Sequence, residues 1–411
     1  MIQLFIYDVA LRIYAAAIFI ASLFNEKAKR WRCGRKTFPD FSKLNEKRIW
    51  FHCASLGEFE QAHPLIEKFK AEQSDCSIVI SFFSPSGYEV RKNYLLADAV
   101  VYLPLDTKAN AQRFVAALKP DAALFVKYEF WFHYLNELNK QQIPTILFSS
   151  AFRKEQIFFR WYGSFFIRML RLFSAVFVQD KTSQMLLAGI EVSSFIVPDT
   201  RFDRVYAIAQ SKTAFPLIEK FKGNSKLLIA GSTWRPDEEL IVECINRDLL
   251  KEYKYIIAPH ELHEENIDAL RKNIQAKALL YSELTDENAT TANVVIIDNF
   301  GMLASLYAYA EIAYIGGGFG KSVHNILEAA VYGMPVIFGT NYHKALEAHK
   351  LLELQAAFSV SSFNELKAVL KVVSEEAFRK SASEKAKQYV QQNTGGTEML
   401  YGQIQKKLLQ P

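Results

Sequence analysis

From Arg48 onward, short apolar runs alternate with amphipathic stretches. Runs rich in β-branched and aromatic residues cover Ile49 to Cys53, Ser77 to Phe82, Ala122 to Val126, Thr145 to Phe148 and Ala175 to Val178. Helical patterns such as Phe59 to Glu72 and Ala109 to Leu118 lie between them. Such alternation predicts a parallel sheet with helices on both faces. The pattern lapses across Asp203 to Asn224, ending in the turn-like Gly223-Asn224-Ser225. It then resumes with strands at Lys226 to Ala230, Tyr255 to Ala258, Val294 to Ile297, Ala313 to Ile315 and Pro335 to Phe338. Helices are predicted over Asp237 to Lys251, His263 to Ile274, Met302 to Ala310 and Lys321 to Tyr332, and over Glu375 to Gln392 and Glu398 to Leu409. The expected fold is therefore α/β, with two doubly wound Rossmann-like domains, 37–210 and 211–411, facing a ligand-binding interdomain cleft. The last helix, set off by Gly395-Gly396, can pack back on the first domain.

Residues 1–36 follow another pattern. Met1 to Phe24 is apolar except for Asp8 and Arg12, which lie one helical turn apart and can neutralise each other. A helix of this length is about 36 Å long, enough to span a bilayer's hydrocarbon core. Its charge-free part, Ile13 to Phe24, is short for a span, and a helix docked on the globular domain is the alternative. Lys27, Lys29, Arg30, Arg32, Arg35 and Lys36 follow, against the single acid Glu26. A basic flank of this kind stays cytoplasmic and is drawn to anionic headgroups, so a membrane-associated helix is expected.

Composition narrows the partners. At 411 residues and 50% hydrophobic content, two cores can be built. A net charge of +5 is too small to imply nucleic acid but suits an acidic small molecule or lipid. The four cysteines form no CxxC pair and no zinc spacing, which fits a reducing compartment and no structural metal.

The candidate chemistry sits where strands end. Gly316, Gly317 and Gly318, followed by Phe319, Gly320 and Lys321, let a backbone approach a ligand closely, and a helix start there suits a phosphate. On that helix His324, Asn325 and Glu328 can hold phosphate and ribose, or form a solvated pair. Ser232 and Thr233, before Arg235, are either a second anion cradle or plain helix-entry residues, and His260 ends the next strand. In the first domain, Glu58 follows Ser55 and Gly57 at a strand-to-helix turn. It can act as a general base or complete a capping box with Ser55. Glu129 ends another strand, and Arg153, Arg201 and Arg204 can turn guanidinium groups to the cleft or brace a hinge. No HExxH, GxSxG, Walker or DxD motif occurs, which argues against metalloprotease, hydrolase and kinase readings.

Read in order, Phe51-His52-Cys53-Ala54-Ser55-Leu56-Gly57-Glu58, Glu129-Phe130-Trp131, Asp199-Thr200-Arg201-Phe202-Asp203-Arg204, Gly231-Ser232-Thr233 and Gly316 to Glu328 resemble the Kdo transferases of lipid A biosynthesis. The resemblance covers nearly the whole chain. It implies a GT-B fold and an inverting, metal-independent transfer of 3-deoxy-D-manno-octulosonic acid (Kdo) from CMP-Kdo to a lipid A precursor, with no cofactor, at the cytoplasmic face of the inner membrane. Glu58 matches the family's general base and Gly316 to Glu328 its CMP-binding segment. Ser55, Gly57, Glu129, Arg153 and Arg201 fall on the acceptor side or behind it. Pro198, Lys127 and the Ala258-Pro259-His260 stretch depart from the family pattern. The last lacks an arginine, which leaves His260, Arg235 and Lys321 as candidates to meet the donor's charge. A GT-B transferase or epimerase using a UDP-sugar, or a non-catalytic binding protein of the same fold, are the alternatives.

Overall fold

The computed structural model describes residues 2–211 and 213–409. The chain forms two compact units, one running to Asp203 and taking in the segment from Gly395 onward, the other Arg204–Thr394. The first opens with α1 (Ile2–Ala21) and α2 (Glu26–Cys33). There follow β1 (Arg48–Cys53), α3 (Leu56–Glu72), β2 (Ser77–Phe82), α4 (Pro85–Arg91), β3 (Ala99–Tyr102), α5 (Lys108–Leu118), β4 (Ala122–Val126) and α6 (Phe132–Lys140). It continues with β5 (Thr145–Ser150), α7 (Ser164–Leu170), β6 (Ala175–Val178), α8 (Lys181–Ala188) and β7 (Phe195–Ile196), and α9 (Arg201–Gln210) crosses the boundary. All strands are parallel, in the order β3-β2-β1-β4-β5-β6-β7.

Alternate side chains of these strands enter opposite cores, as the pleat requires. Trp50, Phe125 and Leu147 join one cluster with α5, α6 and α7 residues. Ile49, Phe51, Leu124 and Phe148 join the other, with α3 and, from the far end of the chain, Leu400 and Ile404. Burial on both faces is why these strands read as near-continuous apolar runs.

The second unit contains α10 (Pro216–Lys222), β8 (Lys226–Thr233), α11 (Arg235–Asn246), β9 (Tyr253–Pro259), α12 (Glu264–Asn273), β10 (Ala278–Leu280), β11 (Val294–Ile296) and α13 (Leu303–Leu306). β12 (Ile312–Ile315), α14 (Leu327–Ala330), β13 (Val336–Phe338), α15 (Leu346–Glu353), β14 (Ala357–Ser359), α16 (Phe363–Ser374) and α17 (Glu376–Gln392) complete it. Its sheet is also parallel, in the order β10-β11-β9-β8-β12-β13-β14. The stretch over which the pattern lapses, Asp203 to Asn224, holds most of α9 and all of α10. Each turns bulky side chains inward, Phe202 and Val205 from one and Ile218 and Phe221 from the other.

The final helix, α18 (Gly396–Leu409), packs on α3, where Tyr401 meets the edge of Phe69 at 5.0 Å and Lys68 pairs with Glu398 at 2.8 Å. Its start is held by Asp203, whose carboxylate accepts from the amides of Gly395 (2.5 Å) and Thr397 (2.6 Å) and from the Thr397 hydroxyl (2.6 Å). Gly396 is required there, because a Cβ would lie 2.4 Å from the Pro198 carbonyl oxygen. Replacing Asp203 by Ala removes a helix cap supplied from another element. We expect it to lower unfolding free energy by about 1–2 kcal/mol, read as a lower urea midpoint, with earlier proteolytic release of the C-terminal segment.

Candidate active site

In the first sheet the winding reverses between β1 and β4, and their carboxyl ends leave a crevice between the loops that diverge from them. Glu58 sits there, half-buried in the first turn of α3. Ser55 is the N-cap residue, but its hydroxyl donates to the Glu58 carboxylate instead of accepting from a helix amide, so the anticipated capping box does not form. The bond orients the carboxylate. A Cβ on the neighbouring Gly57 would meet only Ser55 Oγ, at 3.8 Å, so packing within the chain does not demand glycine. Its smallness leaves space in front of Glu58.

Behind this crevice runs a buried chain of polar groups. Trp50 Nε1–H donates to Ser81 Oγ (2.8 Å), whose hydroxyl lies 2.8 Å from His52 Nδ1. His52 Nε2 is 3.0 Å from Glu129 Oε2, which also accepts from Trp131 Nε1 at 2.8 Å. Trp131 Nε1 also lies 3.0 Å from His52 Nε2, so the indole N–H is shared between the imidazole and the carboxylate. Glu129 is thereby fixed against the His52 and Trp131 rings. Arg201 turns away from any ligand: its Nε and Nη2 donate to Asp199 Oδ2 at 3.0 and 2.8 Å. Burial pushes the Asp199 carboxyl up, but Arg201 outweighs it and holds the group below the usual range. Gln61 and Gln179 also bind that carboxylate. Arg201 is a brace. Arg153 stands exposed in the loop after β5, its amide held by Gln156.

The second sheet reverses between β8 and β12, so its crevice lies between Gly231-Ser232-Thr233 and the glycine run. Here the backbones nearly touch. A Cβ on Gly316 would lie 2.3 Å from the Ser232 carbonyl oxygen, one on Gly318 would lie 2.5 Å from the Gly339 nitrogen, and Gly317 has φ +88°. β8 bulges at Ser232, itself at φ +53°. Asp237 ties these pieces together. Its Oδ2 accepts from the amides of Gly317 (3.0 Å) and Trp234 (3.0 Å) and its Oδ1 from the Tyr314 hydroxyl (2.9 Å). Burial pushes this carboxyl up, opposed by those donors.

The helix expected from Lys321 does not form. The Val323 amide bonds Asn341 O (2.9 Å) and that of His324 bonds Gly316 O (3.1 Å), so a turn occupies the segment and α14 begins only at Leu327. His324 and Glu328 consequently do not form a helix-face pair. Asn325 spans the gap, donating to Glu328 Oε1 (3.0 Å) while its Oδ1 accepts from the Leu327 amide (3.3 Å). Among the described residues, the amides of Gly318, Phe319, Lys321 and Ser322 find no acceptor. Unspent amides in an irregular loop are an anion-binding arrangement.

Beside them the rings of Trp234, His260 and His324 are stacked, with centroids 4.7 and 4.4 Å apart. Trp234 Nε1–H donates to His324 Nε2 at 3.0 Å. Burial, with His260 adding to it, pushes His324 down to about 4, and burial lowers His260 as well. Both imidazoles are neutral near pH 7 and supply no positive charge. Lys321 is exposed, Arg235 is mostly exposed and pairs with Glu239 at 3.2 Å, and the Thr233 hydroxyl donates to Glu238 at 3.1 Å. Sequence reasoning missed Asp237 and Trp234, and in the first unit it missed the His52–Ser81 relay. For His52 and Ser81 the detectable signal was a polar residue inside an apolar strand.

A family profile described as 3-Deoxy-D-manno-octulosonic-acid transferase (kdotransferase) matches residues 27–204. A 3-deoxy-D-manno-octulosonic acid transferase of Chlamydia trachomatis serovar A is 26% identical over 394 residues, covering 92% of this chain and 90% of the relative. The chain is thus similar to Kdo transferases, by profile across most of the first unit and by pairwise identity over most of its length. Kdo transferases are glycosyltransferases of lipopolysaccharide biosynthesis. A bifunctional glycosyltransferase/methyltransferase of Fusobacterium nucleatum is 27% identical over 384 residues, or 90% of this chain, and the match spans only 58% of that longer protein. In fold, MurG of Acinetobacter baumannii aligns with a TM-score of 0.55 at 13% identity, over 88% of this chain and 99% of MurG. The architecture is GT-B.

The depressed His324 has a measurable consequence. As pH falls from about 6.5 to about 4, the unfolded chain takes up a proton at this residue that the folded chain refuses, so stability declines across that window. We expect His324→Asn to flatten the pH dependence of the urea midpoint between these limits.

Proposed function

We propose that this protein is a Kdo transferase that moves Kdo from CMP-Kdo to a hydroxyl of a lipid A precursor with inversion, Glu58 acting as general base. The observation that carries the reading is the Glu58 carboxylate, oriented by Ser55 at the switch point of the first unit and fronted by an unfilled glycine. An alcohol is a weak nucleophile at neutral pH. As its oxygen attacks the anomeric carbon of Kdo, Glu58 takes its proton, and the bond from that carbon to the CMP phosphate oxygen breaks with its electron pair leaving on CMP. A single displacement inverts the centre. Removal of the proton in the transition state contributes typically a factor of about 100 to 10,000.

CMP binding falls to the second unit in this reading. The unspent amides of Gly318, Phe319, Lys321 and Ser322 and the Lys321 ammonium meet the phosphate charge, which grows as CMP departs. Neutral His324 contributes a hydrogen bond, and Asn325 and Glu328 face the ribose.

Membrane attachment is part of this reading and is supported by α1, the one helix among the described residues long and apolar enough to cross a bilayer. The structure favours its lying at the surface. Along one side it is fastened to the first unit: Gln3 binds Ser164 (2.9 Å), the Tyr7 hydroxyl donates to Asp106 (2.5 Å), and Asp8 pairs with His133 (2.7 Å). The other side leaves Phe5, Ile6, Ile13 and Ile20 exposed. Trp161, 95% exposed and close in sequence to Ser164, suits the headgroup level, and the basic flank is in keeping with attachment at the cytoplasmic face of the inner membrane.

With detergent-purified protein, CMP-Kdo and lipid A precursor, the acceptor should gain the mass of one Kdo unit. Glu58→Gln should cut the rate about 100- to 10,000-fold while CMP binding is retained, and unchanged turnover in this variant would exclude the carboxylate as base. Replacing Ile6, Ile13 and Ile20 together by Ser should move the protein from the membrane to the soluble fraction with CMP affinity intact.

A further inference from the structure

A cavity of about 340 Å³ opens in the first unit between α1, α2 and the loop from β3 into α5. Arg32, Arg35, Lys36 and Arg113 line it, and no acidic residue does. Among the described residues, none of the four makes a salt bridge to a carboxylate. Arg35 stacks over the Trp31 ring at 3.8 Å, and its guanidinium donates to the carbonyls of Leu103 (2.7 Å), Trp31 (3.0 Å) and Phe83 (2.6 Å). Burial lowers it to about 9 against the pull of Tyr102, Tyr14 and Tyr134. Arg32 lies over the Phe19 ring at 4.8 Å and Arg113 over Phe38 at 3.9 Å. The Arg32 and Arg113 guanidiniums are thus pinned to a wall by their faces, with their N–H edges uncommitted, whereas the N–H groups of Arg35 are taken up by carbonyls.

The walls explain which anion fits. Ile18, Phe19 and Phe38 offer apolar surface beside the cations, and Phe19 continues into the exposed apolar side of α1. A free inorganic anion has no use for that surface; a phosphate carried on a lipid does. Trp31 meets the edge of Phe83 at 5.7 Å, Phe83 stacks on Trp131 at 4.7 Å, and Trp131 donates to Glu129. The cavity is therefore connected by packed rings to the crevice that holds the carboxylates.

We propose that this cavity binds the phosphate group of an anionic lipid, with Arg32, Lys36 and Arg113 around the phosphate oxygens and Phe19 and Phe38 against the carbons beside them. The assignment rests on the reading of α1 as lipid-facing. Two lipids carry the chemistry: a bulk phospholipid through its headgroup, and the acceptor glycolipid through a phosphate of its own.

Flotation of the full-length protein with vesicles separates these ideas. Phosphatidylcholine alone reads the apolar attachment of α1, and absence of binding there counts against that reading only. Replacing about one-fifth of the lipid by phosphatidic acid reads the cavity: affinity should rise, and Arg32→Gln, Lys36→Gln and Arg113→Gln should each remove roughly fivefold of the gain. Lys140→Gln, which deletes an exposed charge at the end of α6, should leave the gain intact. Lys36 is exposed and packs against nothing that folding requires, so its variant answers the question even if an arginine variant is unstable. A gain that survives the three cavity substitutions, or that Lys140→Gln reduces equally, overturns the proposal. If the acceptor is the occupant, Arg113→Gln raises its KM at fixed vesicle charge with kcat unchanged; if a phospholipid is, KM stays and only flotation changes. Competition by inorganic phosphate as effective as by short-chain phosphatidic acid would show a plain anion site and refute the lipid assignment.

Discussion

A parallel sheet that winds outward in both directions from its first strand must leave a gap at that strand's carboxyl end, because the loops on either side depart in opposite directions. Both units of this protein are built on that constraint, one around β1 and β4, the other around β8 and β12. What fills each gap differs. In the first unit it is a carboxylate oriented by a hydroxyl, with a second carboxylate held against the His52 and Trp131 rings nearby. In the second it is backbone, brought so close by Gly316 and Gly318 that amides become the recognition surface. One gap suits proton removal and the other suits an anion.

Asp237 shows how the second arrangement is sustained. A carboxyl group beneath a loop offered as an anion site is costly in charge terms, yet it is spent on two amides and a hydroxyl that point toward it, away from any ligand. The loop keeps its shape because those donors are consumed, and its neighbouring amides stay unspent because the turn gives them no carbonyl to meet. Imidazoles kept neutral by burial fit the same economy: the stack of Trp234, His260 and His324 adds shape and hydrogen bonding without adding charge.

The central strands were legible in the sequence because both of their faces are buried, so their residue choice is dictated at every position. Edge strands were not: β7, β10 and β14 have two or three residues each and too little pattern to register. The segment after the glycine run misled for a definite reason. Val323, Ile326, Leu327 and Ala330 are all buried and fall at helical spacing, but the amides of Val323 and His324 are claimed by Asn341 and Gly316, so apolar periodicity persists where helix does not. Candidate carboxylates were visible at strand ends, whereas their partners were not. Nothing local to His52 points to Ser81 or Glu129, and nothing local to Asp237 points to a glycine 80 residues away.

The placement of α18 bears on how the protein is made. Its residues Leu400 and Ile404 complete the core that α3 begins, and Tyr401 covers Phe69. The ribosome delivers the whole second unit between these two halves of one core, a delay on the order of ten to forty seconds at ordinary elongation rates. Throughout that interval the apolar side of α3 has no covering helix. The first domain to be synthesised is thus the last to be finished, and a nascent chain is most open to wrong association while its second domain is being translated.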